Sequence, residues 1–71
     1  MKDEVYLKKL GKKIAKLRES KGISQRGMAK KLDTSNTYMR AVEAGDVNIS
    51  INGLRKIAAE FEITISELVA V

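Results

Sequence analysis

Apolar residues recur along this chain three and four positions apart, the spacing of one face of an α-helix. Leu7, Leu10, Ile14 and Leu17 make the first stripe, with Tyr6 at its edge and Lys8, Lys9, Lys12, Lys13 and Lys16 on the other sides. Met28, Ala29 and Leu32 make a shorter one, and Met39 with Val42 another. Leu54, Ile57, Ala58 and Phe61 make a fourth, and Ile63 and Ile65 continue it.

Small polar residues and glycines punctuate these stripes. Asp3 is expected to cap the first helix, and Gly22 to end it in a left-handed conformation. Ser24 caps a second helix, followed by Gln25 to Lys31, and Asp33 and Thr34 form a tight turn. Ser35 caps a third helix over 36–44, closed by Gly45. After a loop from Asp46 to Ile49, Ser50 caps the fourth. Ser66 is expected to cap a last short turn containing Glu67, Leu68 and Val69. Gly27 and Gly53 are weak points within helices. The pattern predicts an all-α fold: a compact bundle of five short helices, one domain over 1–71.

Composition narrows the chemistry. Seventy-one residues support one small core, a size at which stability is marginal and pairing helps. With no cysteine and no histidine, the chain lacks thiolate metal ligands, disulfides, the commonest general base and the commonest neutral metal ligand. No glycine elbow, oxyanion motif or phosphate-cradling loop is present. The expectation is a protein that is not an enzyme, with no cofactor, no metal and no evident small-molecule ligand. No apolar run has the length of a membrane span, so a soluble cytoplasmic protein without a membrane partner is expected.

Charge points to the partner. The net charge is +5, and eleven of the fourteen Lys and Arg lie in residues 1–31. Residues 32–71 hold three cations against six acids. A basic half on a small protein suits a polyanion.

The decisive pattern is two short helices joined by Leu32–Ser35. Core residues fix both, and a turn of about three to four residues crosses them steeply. The second helix can then lie in a major groove about 12 Å wide, its first residues facing base edges. Asn36 can bond adenine at two points, Thr37 can touch a thymine methyl, and Arg40, one turn on, can read guanine or hold a phosphate. Tyr38 can meet the DNA backbone or the groove edge.

Six segments carry a resemblance: LGKKIAKLR (10–18), KGISQ (21–25), MAKKL (28–32), TSNTYM (34–39), VEAG (42–45) and ISELV (65–69). Together they resemble the Cro and lambda-repressor type of helix-turn-helix DNA-binding protein. That resemblance implies that Asn36 and Thr37 read bases and that Gln25 braces a phosphate and the recognition helix. It also implies that Arg18 and Glu43 form a structural ion pair. TYM (37–39) and NIS (48–50) are similar to the controller proteins of restriction–modification systems, and phage and mobile-element regulators share these residues. In that setting Asn48 and Ser50 are expected to bond phosphates across the loop; Ser35 and Tyr38 are further expected phosphate contacts. Three departures from the pattern are Ile49 in place of a proline, Asp33 in place of the turn glycine, and the glycines at 27 and 53.

The function implied is a transcription regulator that binds double-stranded DNA as a homodimer on a pseudo-palindromic operator. Ile63, Ile65, Leu68, Val69 and Val71 are the expected dimer contact, since they remain once the core is filled. An antitoxin-like protein-interaction module and a non-specific nucleic-acid binder stay open as alternatives.

Overall fold

The computed structural model describes residues 3–71. Five helices follow in order: α1 (Asp3–Ser20), α2 (Gln25–Lys31), α3 (Asn36–Ala44), α4 (Ile51–Glu60) and α5 (Ile65–Val69). No strand occurs among the described residues. Helix α1 packs on α3 and α5, α2 on α3, and α4 on α5. The predicted stripes meet in one core. Leu10, Ile14, Met28, Met39, Val42, Ile57, Phe61 and Leu68 are all buried. Met28 and Met39 are therefore packing residues, as their helical spacing implies.

Serines start the three middle helices. Ser24, Ser35 and Ser50 Oγ each accept a hydrogen bond of 3.0 Å, from the backbone N–H of Gly27, Tyr38 and Gly53 respectively. Asp3 lies inside the first turn of α1 rather than before it, where its charge suits the helix dipole. The capping position of α1 falls outside the described residues.

The cap of α5 corrects the reading from sequence. Thr64, not Ser66, precedes the helix. Its Oγ1 accepts from Glu67 N–H at 3.0 Å, and Glu67 Oε1 accepts from Thr64 N–H at 3.1 Å. This reciprocal box satisfies two otherwise orphaned donors and needs a Thr–x–x–Glu spacing, which Ser66 cannot supply.

Helices α1 to α4 all end alike. Gly22, Asp33, Gly45 and Glu62 have φ of 68°, 55°, 77° and 56°. In each case the next residue's N–H reaches back five positions: Ile23 to Arg18 O, Thr34 to Ala29 O, Asp46 to Ala41 O, and Ile63 to Ala58 O. This left-handed closure favours glycine, yet Asp33 and Glu62 adopt it with a β-carbon.

Two glycines set the distance between α1 and α3. A Cβ on Gly11 would lie within 2.6 Å of both the Glu43 and Val42 carbonyl oxygens, and one on Gly45 would lie 2.7 Å from Lys8 Cα. The backbones touch where side chains would hold them apart, so α3 is fixed against α1 along its C-terminal half.

Candidate nucleic-acid interface

Helix α3 is held from behind. Met39 and Val42 are buried, and Tyr38 is half-buried against the core. Glu43, on the same helix, is almost fully buried and gathers three donors. Arg18 Nε and Nη2 donate to its two oxygens at 2.7 and 3.1 Å, and Gln25 Nε2 donates to Oε1 at 2.8 Å. Arg18 also donates through Nη1 to the Ile23 carbonyl at 2.8 Å. The hydrogen bond from Glu43 raises the Arg18 guanidinium's affinity for its proton. One carboxylate thus ties α1 and α2 to α3. The side-chain amide of Gln25 is oriented by this bond, leaving its oxygen free to accept.

The other side of α3 faces solvent. Thr37 and Arg40 are exposed, one turn apart. Asn36 is half-buried, and its Oδ1 is enclosed without a hydrogen-bond partner. Ser35 and Ser50 are exposed but serve as caps. Their oxygens are in use as acceptors, while each hydroxyl hydrogen remains able to donate. Asn48 is exposed on the loop before α4. Tyr38 lines a shallow cleft between α3 and α4 with Thr34, Ser50, Asn52, Gly53 and Lys56. Sequence reasoning passed over Asn52 and Lys56; their one signal was that each lies off the apolar stripe of the fourth helix. The exposed cations Arg26, Lys30 and Lys31 of α2 add positive charge beside the turn. Lys31 shares its charge with Glu60 at 3.6 Å. No group of His, Cys, Asp and Glu suited to a metal occurs among the described residues.

The expected dimer contact is changed at one position. Leu68 is fully buried inside the subunit, because α5 packs against both α1 and α4 and Leu68 joins their common core. It has no surface left to offer a partner. Ile63, Ile65 and Val69 are half-buried, and Val71 is exposed. Ile51 and Val5 are also exposed, Ile51 at 67%. Reading by stripes left out Ile51, which stands first in α4, three positions before Leu54.

Two side chains of α1 close over α5. Tyr6 Oη donates to the Val69 carbonyl at 2.7 Å, and Lys13 Nζ donates to the Glu67 and Ala70 carbonyls. These bonds satisfy carbonyls that a helix end leaves unpaired. Neither role was legible in a stripe that placed Lys13 simply on the wet side.

Comparison with known proteins places this arrangement. The sequence profile of the family described as "Helix-turn-helix" matches residues 14–68. The chain belongs to the helix-turn-helix family. It is 41% identical over 61 residues to control protein C.MunI of a Mycoplasma species, across 84% of this chain and 82% of that relative. It also matches the crystal structure of the restriction-modification controller protein C.AhdI from Aeromonas hydrophila. There the TM-score is 0.87 and the identity 31%, over 96% of this chain and 99% of that one. The helix-turn-helix resemblance drawn from the six segments, including that to controller proteins, agrees with these matches. The five-helix fold is shared. This is a family of DNA-binding regulators rather than of enzymes. No helix among the described residues is long and apolar enough to cross a membrane.

Proposed function

We propose that this protein is a transcription regulator that binds a pseudo-palindromic DNA operator as a homodimer, with the first turn of α3 in the major groove. The observation that carries this reading is the division of α3. Met39, Val42 and Glu43 are committed to the fold, while Thr37 and Arg40 face outward at the end where a recognition helix meets base edges. Asn36, Thr37 and Arg40 read bases in this scheme. Gln25, Ser35, Tyr38, Asn48 and Ser50 contact phosphates, which position the protein without specifying sequence. Ile63, Ile65, Val69 and Val71 supply the two-fold contact. It sets the two α3 helices about 34 Å apart, one turn of DNA. The restriction–modification control named for C.AhdI extends to this chain on the same reading, with residues 1–71 acting as one helix-turn-helix domain.

Selection of bound sequences from random duplexes tests this directly. A palindromic consensus with half-sites one turn apart is expected, with affinity falling steeply as salt rises. Equal binding to all sequences, or a consensus with a single half-site, would overturn it.

A further inference from the structure

Lys8, Lys9, Lys12 and Lys16 of α1 are exposed, and none of them forms an ion pair among the described residues. The nearby acids are engaged elsewhere. Glu43 and Glu19 meet Arg18, Glu62 meets Lys21 and Glu60 meets Lys31. Asp3 and Glu4 stand before the lysines, in the first turn. Lys13 is occupied by the carbonyls of α5.

Lys9, Lys12 and Lys16, three and four positions apart, share one side of the helix. The other sides are accounted for. Leu10 and Ile14 are buried in the core, Gly11 abuts the α3 backbone, and Tyr6 and Lys13 reach α5. The stripe is covered by no element. It also opposes the helix that carries it, because like charges three or four apart repel. Lys8 and Lys12, Lys9 and Lys12, and Lys12 and Lys16 are such pairs. A surface kept only for solubility intersperses both signs.

The chemistry points to one kind of partner. A protein surface binds through buried anchors, chiefly Trp, Tyr and Arg. The stripe has none, and Val5 is the large apolar residue in line with it. A nucleic-acid backbone needs only spaced positive charge. Lys9 and Lys16 lie about 10 Å apart along the axis, a length over which one DNA strand carries about three phosphates. Helix α1 meets α3 at Val42, Glu43 and Gly45, about 9 to 13 Å along that helix from Asn36. The stripe is on the side of α1 turned away from this contact.

We propose that the lysine stripe of α1 binds the phosphate backbone of a second duplex segment, so that one protein holds two stretches of DNA: an operator at α3 and any sequence at α1. This goes beyond the operator reading and needs no base contact.

Replacing Lys9, Lys12 and Lys16 together by glutamine tests it, since glutamine suits a helix as well as lysine does. The triple variant is expected to melt at or above the temperature of the original protein. Held on an immobilised duplex carrying the selected operator, the original protein is expected to capture a labelled random-sequence duplex. The logarithm of that affinity is expected to fall against the logarithm of salt concentration with a slope of about −3. The glutamine variant is expected to lose capture by roughly tenfold or more while binding a short operator duplex as before. The matching arginine variant, which keeps the charge, is expected to capture. No capture by the original protein, or equal capture by the glutamine variant, would overturn the proposal. So would an equal loss of affinity for the short operator duplex, which would put the lysines on the DNA under α3. Preference for poly-glutamate over duplex would give the surface to an acidic protein instead. Binding of random duplex by the free protein needs no operator, and there too the glutamine variant is expected to bind roughly tenfold more weakly. The stripe is thus scored even where no consensus is selected and the operator reading fails.

Discussion

Gly11 and Glu43 are in backbone contact: a β-carbon on Gly11 would sit 2.5 Å from the Glu43 carbonyl oxygen. The approach joins α1 to α3, the second helix of the helix-turn-helix. Gly11→Ala is expected to push α1 and α3 apart and to cost about 1–3 kcal/mol, the usual penalty for overfilling a packed site. Urea unfolding measures it. Gly22→Ala is the comparison. Its β-carbon would meet nothing within 4 Å, but its φ of 68° makes the cost about 1–2 kcal/mol. The two variants separate by their effect on α3. Amide chemical shifts of residues 36–44 are expected to move with Gly11→Ala and to stay in place with Gly22→Ala.

Glu43→Ala is expected to destabilise by about 3–5 kcal/mol, because it takes from the enclosed Arg18 guanidinium its buried partner and leaves only the exposed Glu19 at 3.9 Å. The side chains of Arg18 and Glu43 are only 12% and 6% exposed, so water does not replace the lost partner. The selected DNA consensus is expected to survive the change. An altered consensus in a fully stable Glu43→Ala protein would make Glu43 a reading residue instead.

Glu62 offers the opposite outcome. Its left-handed backbone suits glycine, and Glu62→Gly is expected to stabilise by about 1 kcal/mol. Its exposed pairing with Lys21, at 3.9 Å, contributes little. A thermal midpoint that fails to rise would show that the Lys21 pair outweighs the backbone gain.

The α5 cap makes one acid-sensitive joint. The Thr64 backbone N–H and then its hydroxyl hold the Glu67 carboxyl below the ordinary glutamate value of 4.5. Its contribution to stability is therefore complete above that pH and fades as the pH falls through the lower folded value. Hydrogen exchange at the Thr64 amide is expected to lose protection over that acid range. Glu67→Gln is expected to remove the pH dependence.

Tyr6→Phe deletes the bond to the Val69 carbonyl and is expected to cost about 1 kcal/mol. The loss is local. Amides of residues 65–69 are expected to exchange faster, while those of α3 hold. If α5 carries the two-fold contact, dimer dissociation measured by sedimentation increases as well.

Much of this was legible before the structure. Period and punctuation located all four main helices, since serine caps and left-handed glycines act through neighbouring backbone atoms. Three things were not. Thr64 was overlooked because Ser66 lies nearer the last apolar residues, although the threonine three positions before Glu67 was the stronger signal. Leu68 was counted among the residues left once the core is filled, because no stripe included it and the depth at which α5 docks is set by tertiary packing. Gly11 carried no pattern at all: its role is a distance between two backbones that only tertiary packing creates. The inward oxygen of Asn36 is of the same kind, an orientation that residue identity does not encode.

The junction at Glu43 has a kinetic side. Because α1 and α2 both clasp it, α3 needs no ordering on docking to DNA in the proposed mode. Little conformational entropy is then surrendered on docking, so association should run at a rate set by diffusion and electrostatic attraction. Discrimination between sites would fall to how long each complex lasts.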